Sequence, residues 1–408
     1  MFFARLLDRL IVAGDLTYID HRGQTYHFGG VDIEGVAPVT IRLLDGGVER
    51  RLGLRPLLAV GEAYMDGQLV IEEGSLYDFL ALAAHNLQGR HNAQFLRLMQ
   101  KVDHLWRGLQ QYNPLTQARR NAAHHYDISP ALYDLFLDPD RQYSCAYFER
   151  DGMSLEEAQL AKKRHIMAKL ALRPGQRALD IGCGWGGLAM TMAREAKIEV
   201  TGITLSEQQW MEAQKRAAAS HIDNVHFQLI DYREVAGQFD RIVSVGMFEH
   251  VGIGHFEEFF QTVYDRLTDD GVALIHFICR ADGPGTTNPW IRKYIFPGGY
   301  SPAFSEVMPA IERSGLLMTD LEILRLHYAM TLREWRRRFM ANRTRAAERY
   351  DERFCRMWEF YLTGSEVAFR FQGHMVVQLQ LSKKIDALPL TRDYMMERAL
   401  PLYRQQAG

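Results

Sequence analysis

Four glycines in six positions, Gly182, Gly184, Gly186 and Gly187, follow directly on the apolar run "RALDI". A strand that ends in so many residues without side chains, just before a helix-like "LAMTMAREA", must turn sharply or bring its backbone close to a ligand. Gly182, Gly184 and Gly187 satisfy the spacing G-x-G-x-x-G, which belongs to the strand-loop-helix unit of a parallel sheet. The alternation continues beyond it. "EVTGI", "VHFQLI", "FDRIVSV" and "GVALIHFI" read as strands, separated by helical patterns such as "LSEQQWMEAQKRAAA". Ser206 followed by Gln209 fits a capping box opening the second of these helices. The expected architecture is α/β, a doubly wound sheet that collects its ligand at the carboxyl ends of the strands.

Asp180 decides which ligand the loop suits. It stands two residues before the first glycine, where a cradled pyrophosphate would face it. Two unit charges about 4 Å apart interact by roughly 4 kcal/mol at an effective dielectric near 20. Like charges lose that energy and a cation gains it. S-adenosylmethionine carries a sulfonium and an ammonium and no phosphate, so it fits an acid-led loop better than a nicotinamide dinucleotide does. The second strand ends at Thr204, where a dinucleotide site wants Asp or Glu for the ribose. Asp231, after the third strand, is placed to accept a hydrogen bond from an adenine amino group, and reads equally as a plain loop acid.

The 408 residues, 47% hydrophobic and 24% charged, are enough for one large or two ordinary domains with real cores. A formal charge of −2 gives no global reason to expect a nucleic-acid partner. The four cysteines are widely spaced, without a C-x-x-C pair, which points to a reducing cytosol rather than a disulfide framework or zinc ribbon. Neither a signal peptide nor a membrane span is expected. Phe2, Phe3, Leu6, Leu7, Leu10 and Ile11 share a helical face that suits a core or a membrane surface. "LTYID", "TYHF" and "VTIRLL" read as short strands, followed by helix-like runs from Pro56 through Leu109. A small N-terminal α+β domain over residues 1–110 and a catalytic domain over 111–408 are expected, with Asn113-Pro114 as punctuation.

Taken in order, "HYDISPALYDLFLDPDRQYSCAYFERDGMSLEEAQLAK", "LDIGCGWGG", "GITLSEQQ", "GMFEHVG", "HFI", "FPGGYSP" and "HYAMTLREW" resemble the cyclopropane-fatty-acyl-phospholipid synthase family. The likeness runs from about Ala122 to the C-terminus, and the leading domain resembles the longer, phospholipid-acting members. The resemblance implies a class I methyltransferase fold, Rossmann-like, with a doubly wound seven-stranded sheet. It implies transfer of a methylene unit from S-adenosylmethionine to a cis double bond of a membrane phospholipid acyl chain, with bound bicarbonate as the proton acceptor. An alkene is a poor nucleophile, and the carbocation formed must last until a base takes its proton.

By the same resemblance the bicarbonate cage falls on Cys145, Glu249, His276, the backbone of Ile278, and Tyr328. The cofactor shell falls on Tyr143, Ser144, Gly182, Gly184, Thr204, Gln209 and Asp231, beside Asp180. Without the family these types still cohere: Tyr and His donate to an anion, and Glu accepts a hydroxyl proton. Each has a plainer reading. Cys145 reads as a small buried residue or an activated thiol, and His276, on one face with Val272, Leu274 and Ile278, as a core histidine. Glu249-His250 can begin a helix, Tyr328 can pack, and Gln209 can serve its capping box. No metal-ligand spacing is present. Cys279 stands where the family often has glycine, which leaves the backbone beside the anion in question.

Reaching a bilayer lipid implies peripheral binding at the inner membrane surface of a cytoplasmic protein, with the N-terminal domain docking the membrane or pairing two subunits. Nine arginines against four acids lie between Arg333 and Arg356, interleaved with Trp335, Phe339, Tyr350 and Phe354. The stretch reads as a headgroup-docking surface or as a solvated face over a core stripe. Rival readings are methyl transfer that stops at a branched chain or a small amine, RNA methylation, and a lipid- or S-adenosylmethionine-binding protein without turnover.

Overall fold

A computed structural model describes residues 2–88 and 130–396. The domain boundary expected near residue 110, the Asn113-Pro114 punctuation and the first part of the "HYDIS" motif lie outside the described residues. The chain divides into two compact units.

The first unit carries a four-stranded sheet of β1 (Asp15–Ile19), β2 (Thr25–Gly29), β3 (Val39–Leu43) and β4 (Leu69–Glu73), in the order β2-β1-β3-β4. β4 interrupts the expected helical run from Pro56, because "LVIEE" is too short to separate from its helical flanks by periodicity. Phe3, Leu7 and Ile11 are buried, so the face of the helix Phe2–Leu10 is core.

Two later segments, 285–297 and 329–374, also belong to this unit. A methyl group at Gly61 would collide with the indole of Trp290, whose Nε1–H donates to Met65 Sδ at 3.2 Å. Lys293 pairs with Glu62 at 2.7 Å. Val367 of the helix Glu352–Phe371 packs with Ala81 and Ala84 of the helix Leu76–Gln88. Removing the residues before Leu109 would therefore strip later segments of their core, and truncation does not isolate the catalytic part. In the arginine-rich stretch, Trp335 and Phe339 are fully buried, which removes both from headgroup docking. Ion pairs engage several of its arginines: Arg336 to Glu366, Arg337 to Glu334, Arg353 to Asp66, and Arg343 and Arg356 to Glu352.

The second unit is built on β5 (Arg177–Ile181), β6 (Glu199–Thr204), β7 (Val225–Leu229), β8 (Phe239–Val245), β9 (Leu267–Arg280), β10 (Leu317–Ile323) and β11 (His374–Ser382), in the order β10-β11-β9-β8-β5-β6-β7. Pairing is parallel from β9 through β8, β5 and β6 to β7, and antiparallel between β10 and β11. Successive residues serve opposite faces, as the two-residue period of a strand requires. Leu179, Ile242 and Ala273 join a core with Phe259 and Phe260, while Ala178, Val243 and Leu274 join one with Met192 and Ile198. Each fully buried Phe contributes about 1.5–3 kcal/mol. The class I methyltransferase fold is present. Chain order reverses at β5, which lies between β6 and β8, and there the crevice opens.

Candidate active site

Gly182, Gly184 and Gly186 hold φ of +80°, +56° and +81°, a left-handed path that needs residues without Cβ. Gly187 opens the helix Gly187–Ala196, and its requirement is space: a methyl group there would collide with Gln142 and Asp140. A Cβ at Gly182 would lie 2.8 Å from that of Met247, two residues before Glu249, whereas one at Gly184 would meet open space. Asp180, 2% exposed, has an Oδ2 with no hydrogen-bond partner. Burial lifts its carboxyl to about 7, against the opposing charge of Lys162. An orphaned carboxylate beside an open-sided loop fits a cationic ligand such as S-adenosylmethionine.

Around this loop, Thr204 ends β6 and donates to Gln209 Oε1 at 3.0 Å. Ser206 caps the Gln209 amide, but the Gln209 side chain goes to Thr204, so only half of the expected capping box forms. Asp231 is 1% exposed and caps the turn Tyr232–Glu234. Both its oxygens are taken by Arg233, at 2.7 and 2.9 Å, leaving lone pairs but no free charge for an adenine amino group.

The segment carrying Tyr143, Ser144 and Cys145 is tied down by residues that sequence reasoning did not single out. Helix Leu155–Lys169, opened by a full Ser154/Glu157 capping box, turns Gln159, Lys162 and Lys163 toward the segment. Gln159 Nε2 donates to the carbonyls of Gln142 and Ser144, at 3.1 and 2.9 Å. Lys163 pairs with Asp140 at 2.6 Å; Arg216 also pairs with Asp140 and donates to the Trp185 carbonyl at 2.7 Å. The cofactor loop and the Cys145 segment thus share one clasp. Cys145 is 1% exposed, with Sγ 3.3 Å from the Ala146 carbonyl.

On the far side of the crevice, Glu249 lies in the single 3₁₀ turn Phe248–His250, not at the start of a longer helix. Its Oε1 accepts from the Ile278 N–H at 2.7 Å; its Oε2 is buried without a partner. Burial raises the carboxyl to about 7 despite that N–H. The Ile278 amide, expected to face an anion, is thus given to Glu249. His276 is 2% exposed, and burial pushes its imidazolium form out of reach near neutrality. Its Nδ1 lies 3.1 Å from Gln378 Nε2 of β11, a partner the sequence reading did not name. With that amide donating, the ring proton sits on Nε2.

Tyr328 is half-buried in the first turn of the helix His327–Ala341. The Phe148 N–H donates to His327 Nδ1 at 3.0 Å, and Tyr147 stacks on His327 and on His165, with centroids 4.9 and 4.2 Å apart. This stack brings the start of the Tyr328 helix to the segment three residues past Cys145. Among the described residues, no group of three His, Cys, Asp or Glu side chains is arranged for a metal ion.

A family model described as mycolic acid cyclopropane synthetase matches residues 113–379. The chain is 37% identical over 363 residues to the cyclopropane-fatty-acyl-phospholipid synthase of Escherichia coli (strain K12), covering 88% of this chain and 91% of that protein. It is 36% identical over 336 residues to the tuberculostearic acid methyltransferase UfaA1 of Mycobacterium tuberculosis, covering 79% and 78%. Among solved structures, mycolic acid cyclopropane synthase CmaA1 complexed with SAH and CTAB matches with a TM-score of 0.62 at 35% identity, over 66% of this chain and 99% of that one.

Proposed function

We propose that this chain, which belongs to the mycolic acid cyclopropane synthetase family, transfers a methylene unit to the cis double bond of unsaturated phospholipid acyl chains. It is an S-adenosylmethionine-dependent methyltransferase. The observation that carries the finer reading is Glu249: a buried carboxylate with one oxygen unpaired and the other fixed by the N–H of Ile278, which stands two residues along β9 from neutral His276. Methyl addition to an alkene leaves a carbocation that must lose a proton, so a poised acceptor supports turnover on an alkene over a binding protein without turnover. Phospholipid as substrate is supported by length. A 363-residue match to the E. coli synthase must extend into the chain before residue 113, beyond the part shared with CmaA1.

S-adenosylmethionine, when bound, supplies an electrophilic methyl on a sulfonium. Asp180 holds the cationic end of that molecule, and the glycine loop gives it backbone to lie against. Tyr143, Ser144, Thr204, Gln209 and Asp231 complete the shell. Bicarbonate, when bound, supplies a base that an alkylating agent leaves intact. The residues fit it: Glu249 Oε2 is an acceptor for a hydroxyl proton, and His276 Nε2–H is a donor for an oxyanion. Cys145 and Tyr328 close the set, while Ile278 acts through Glu249. The chain's part in ring closure is to keep water from the carbocation and a proton acceptor within reach.

The same proposal places the protein in the cytoplasm, bound peripherally at the inner membrane surface, with the first unit docking the bilayer or pairing two subunits. No described helix is long and apolar enough to cross a membrane.

Bicarbonate is tested by following label from S-adenosylmethionine into vesicles of mono-unsaturated phospholipid. In buffer stripped of carbon dioxide the rate should fall about a hundredfold or more, within the range for loss of a general base, and return on adding bicarbonate. An undiminished rate removes bicarbonate from the mechanism.

A further inference from the structure

Lysine is among the residues least often buried, yet Lys162 is 1% exposed, and nothing in the reaction above gives it a task. Its Nζ donates to Gln142 Oε1 at 2.7 Å and to Ser144 Oγ at 2.8 Å. An ammonium has donors and no acceptor, so it occupies the Ser144 oxygen as acceptor and leaves the hydroxyl proton to be donated elsewhere. Among the described residues no group takes that proton. The Ser144 carbonyl is held by Gln159, and the packing of Gln142 and Asp140 against Gly187 places the segment over the glycine loop. The charge of Lys162 also acts on Asp180 and on His276.

We propose that Lys162 is a positioning residue for the amino-acid end of S-adenosylmethionine, making the Ser144 hydroxyl an obligate donor to the cofactor's carboxylate. This rests on the reading of Ser144 as part of the cofactor shell. Lys162 and Asp180 then split the work: the buried cation favours the carboxylate of the ligand and the buried anion favours its ammonium. Burial draws the Lys162 ammonium down to about 8, with Asp138, Asp140 and Cys145 resisting and Lys163 assisting. The group is still charged at neutral pH.

Calorimetry with two ligands tests this without turnover. S-adenosylhomocysteine carries the amino-acid end, and 5′-methylthioadenosine keeps the adenosine and thioether but lacks it. Lys162→Met should weaken S-adenosylhomocysteine about tenfold or more, the size of one charge-assisted hydrogen bond, and leave methylthioadenosine within about twofold. Ser144→Ala, a milder change, should reproduce the selective loss, and the double variant should lose no more than Lys162→Met. Equal loss of both ligands would mean that Lys162 only supports the fold. Unchanged S-adenosylhomocysteine affinity in either single variant would equally overturn the proposal. Wild-type protein that binds neither ligand would bring down the cofactor reading instead.

Discussion

Replacing Glu249 with glutamine is expected to lower turnover about a hundredfold or more, within the range for loss of a group that serves acid-base chemistry. The substitution is nearly isosteric. Its carbonyl can still accept the Ile278 N–H, so β9 and the Phe248–His250 turn keep their tie. What disappears is the unpaired Oε2 acceptor, replaced by a donor amide. Glu249→Ala would differ, because it orphans a buried N–H at about 1–3 kcal/mol of stability. Affinity for S-adenosylhomocysteine should stay within about twofold in the glutamine variant, the site being separate from the cofactor shell. The pH profile gives a second readout. Burial lifts Glu249 to about 7, so the carboxylate gains population as pH rises through that value. Wild-type kcat should climb over the same interval, and that limb should vanish in Glu249→Gln. Turnover within threefold of wild type would remove Glu249 from the chemistry.

Asp180→Asn should weaken binding of S-adenosylmethionine about a hundredfold, below the roughly 4 kcal/mol ceiling for a close ion pair at an effective dielectric near 20. The side chain keeps its shape and loses its charge. Burial raises the Asp180 carboxyl to about 7, so below that pH the wild-type site is protonated and must release a proton to take a cationic ligand. Affinity should therefore rise with pH through about 7 and level above it. Calorimetry in buffers of different ionisation heat should record proton release on the acid side for wild type and none for the variant. A variant that binds as tightly as wild type, with the same pH dependence, would refute the role given to Asp180.

The glycine loop and β5 through β9 were legible because short apolar runs ended in glycine or a polar residue at the same edge of the sheet. β11 was not, since Gln378 and Gln380 break its apolar pattern while lying fully buried in the strand. They are buried as partners: Gln378 for His276, Gln380 for the Lys169 carbonyl and the Tyr394 hydroxyl. Lys162 and Lys163 were hidden for a related reason. "EEAQLAKKRH" has the look of a solvated helix, and only the chain folded over it turns its charges inward. The arginine-rich stretch left two readings open, because an aromatic stripe at helical spacing reads alike whether it meets lipid or, as with Trp335 and Phe339, the protein's own core. Glu249 and Ile278 were legible as a set by resemblance; that they bond to each other needed the fold.

The most direct test of the central claim is the product made from mono-unsaturated phospholipid vesicles and S-adenosylmethionine bearing a trideuteriomethyl group, analysed by mass spectrometry and NMR. The account predicts an acyl chain that has lost its alkene, gained a cyclopropane ring, and kept two of the three deuterium atoms. A methyl-branched chain, or a product that keeps its double bond, would contradict ring closure.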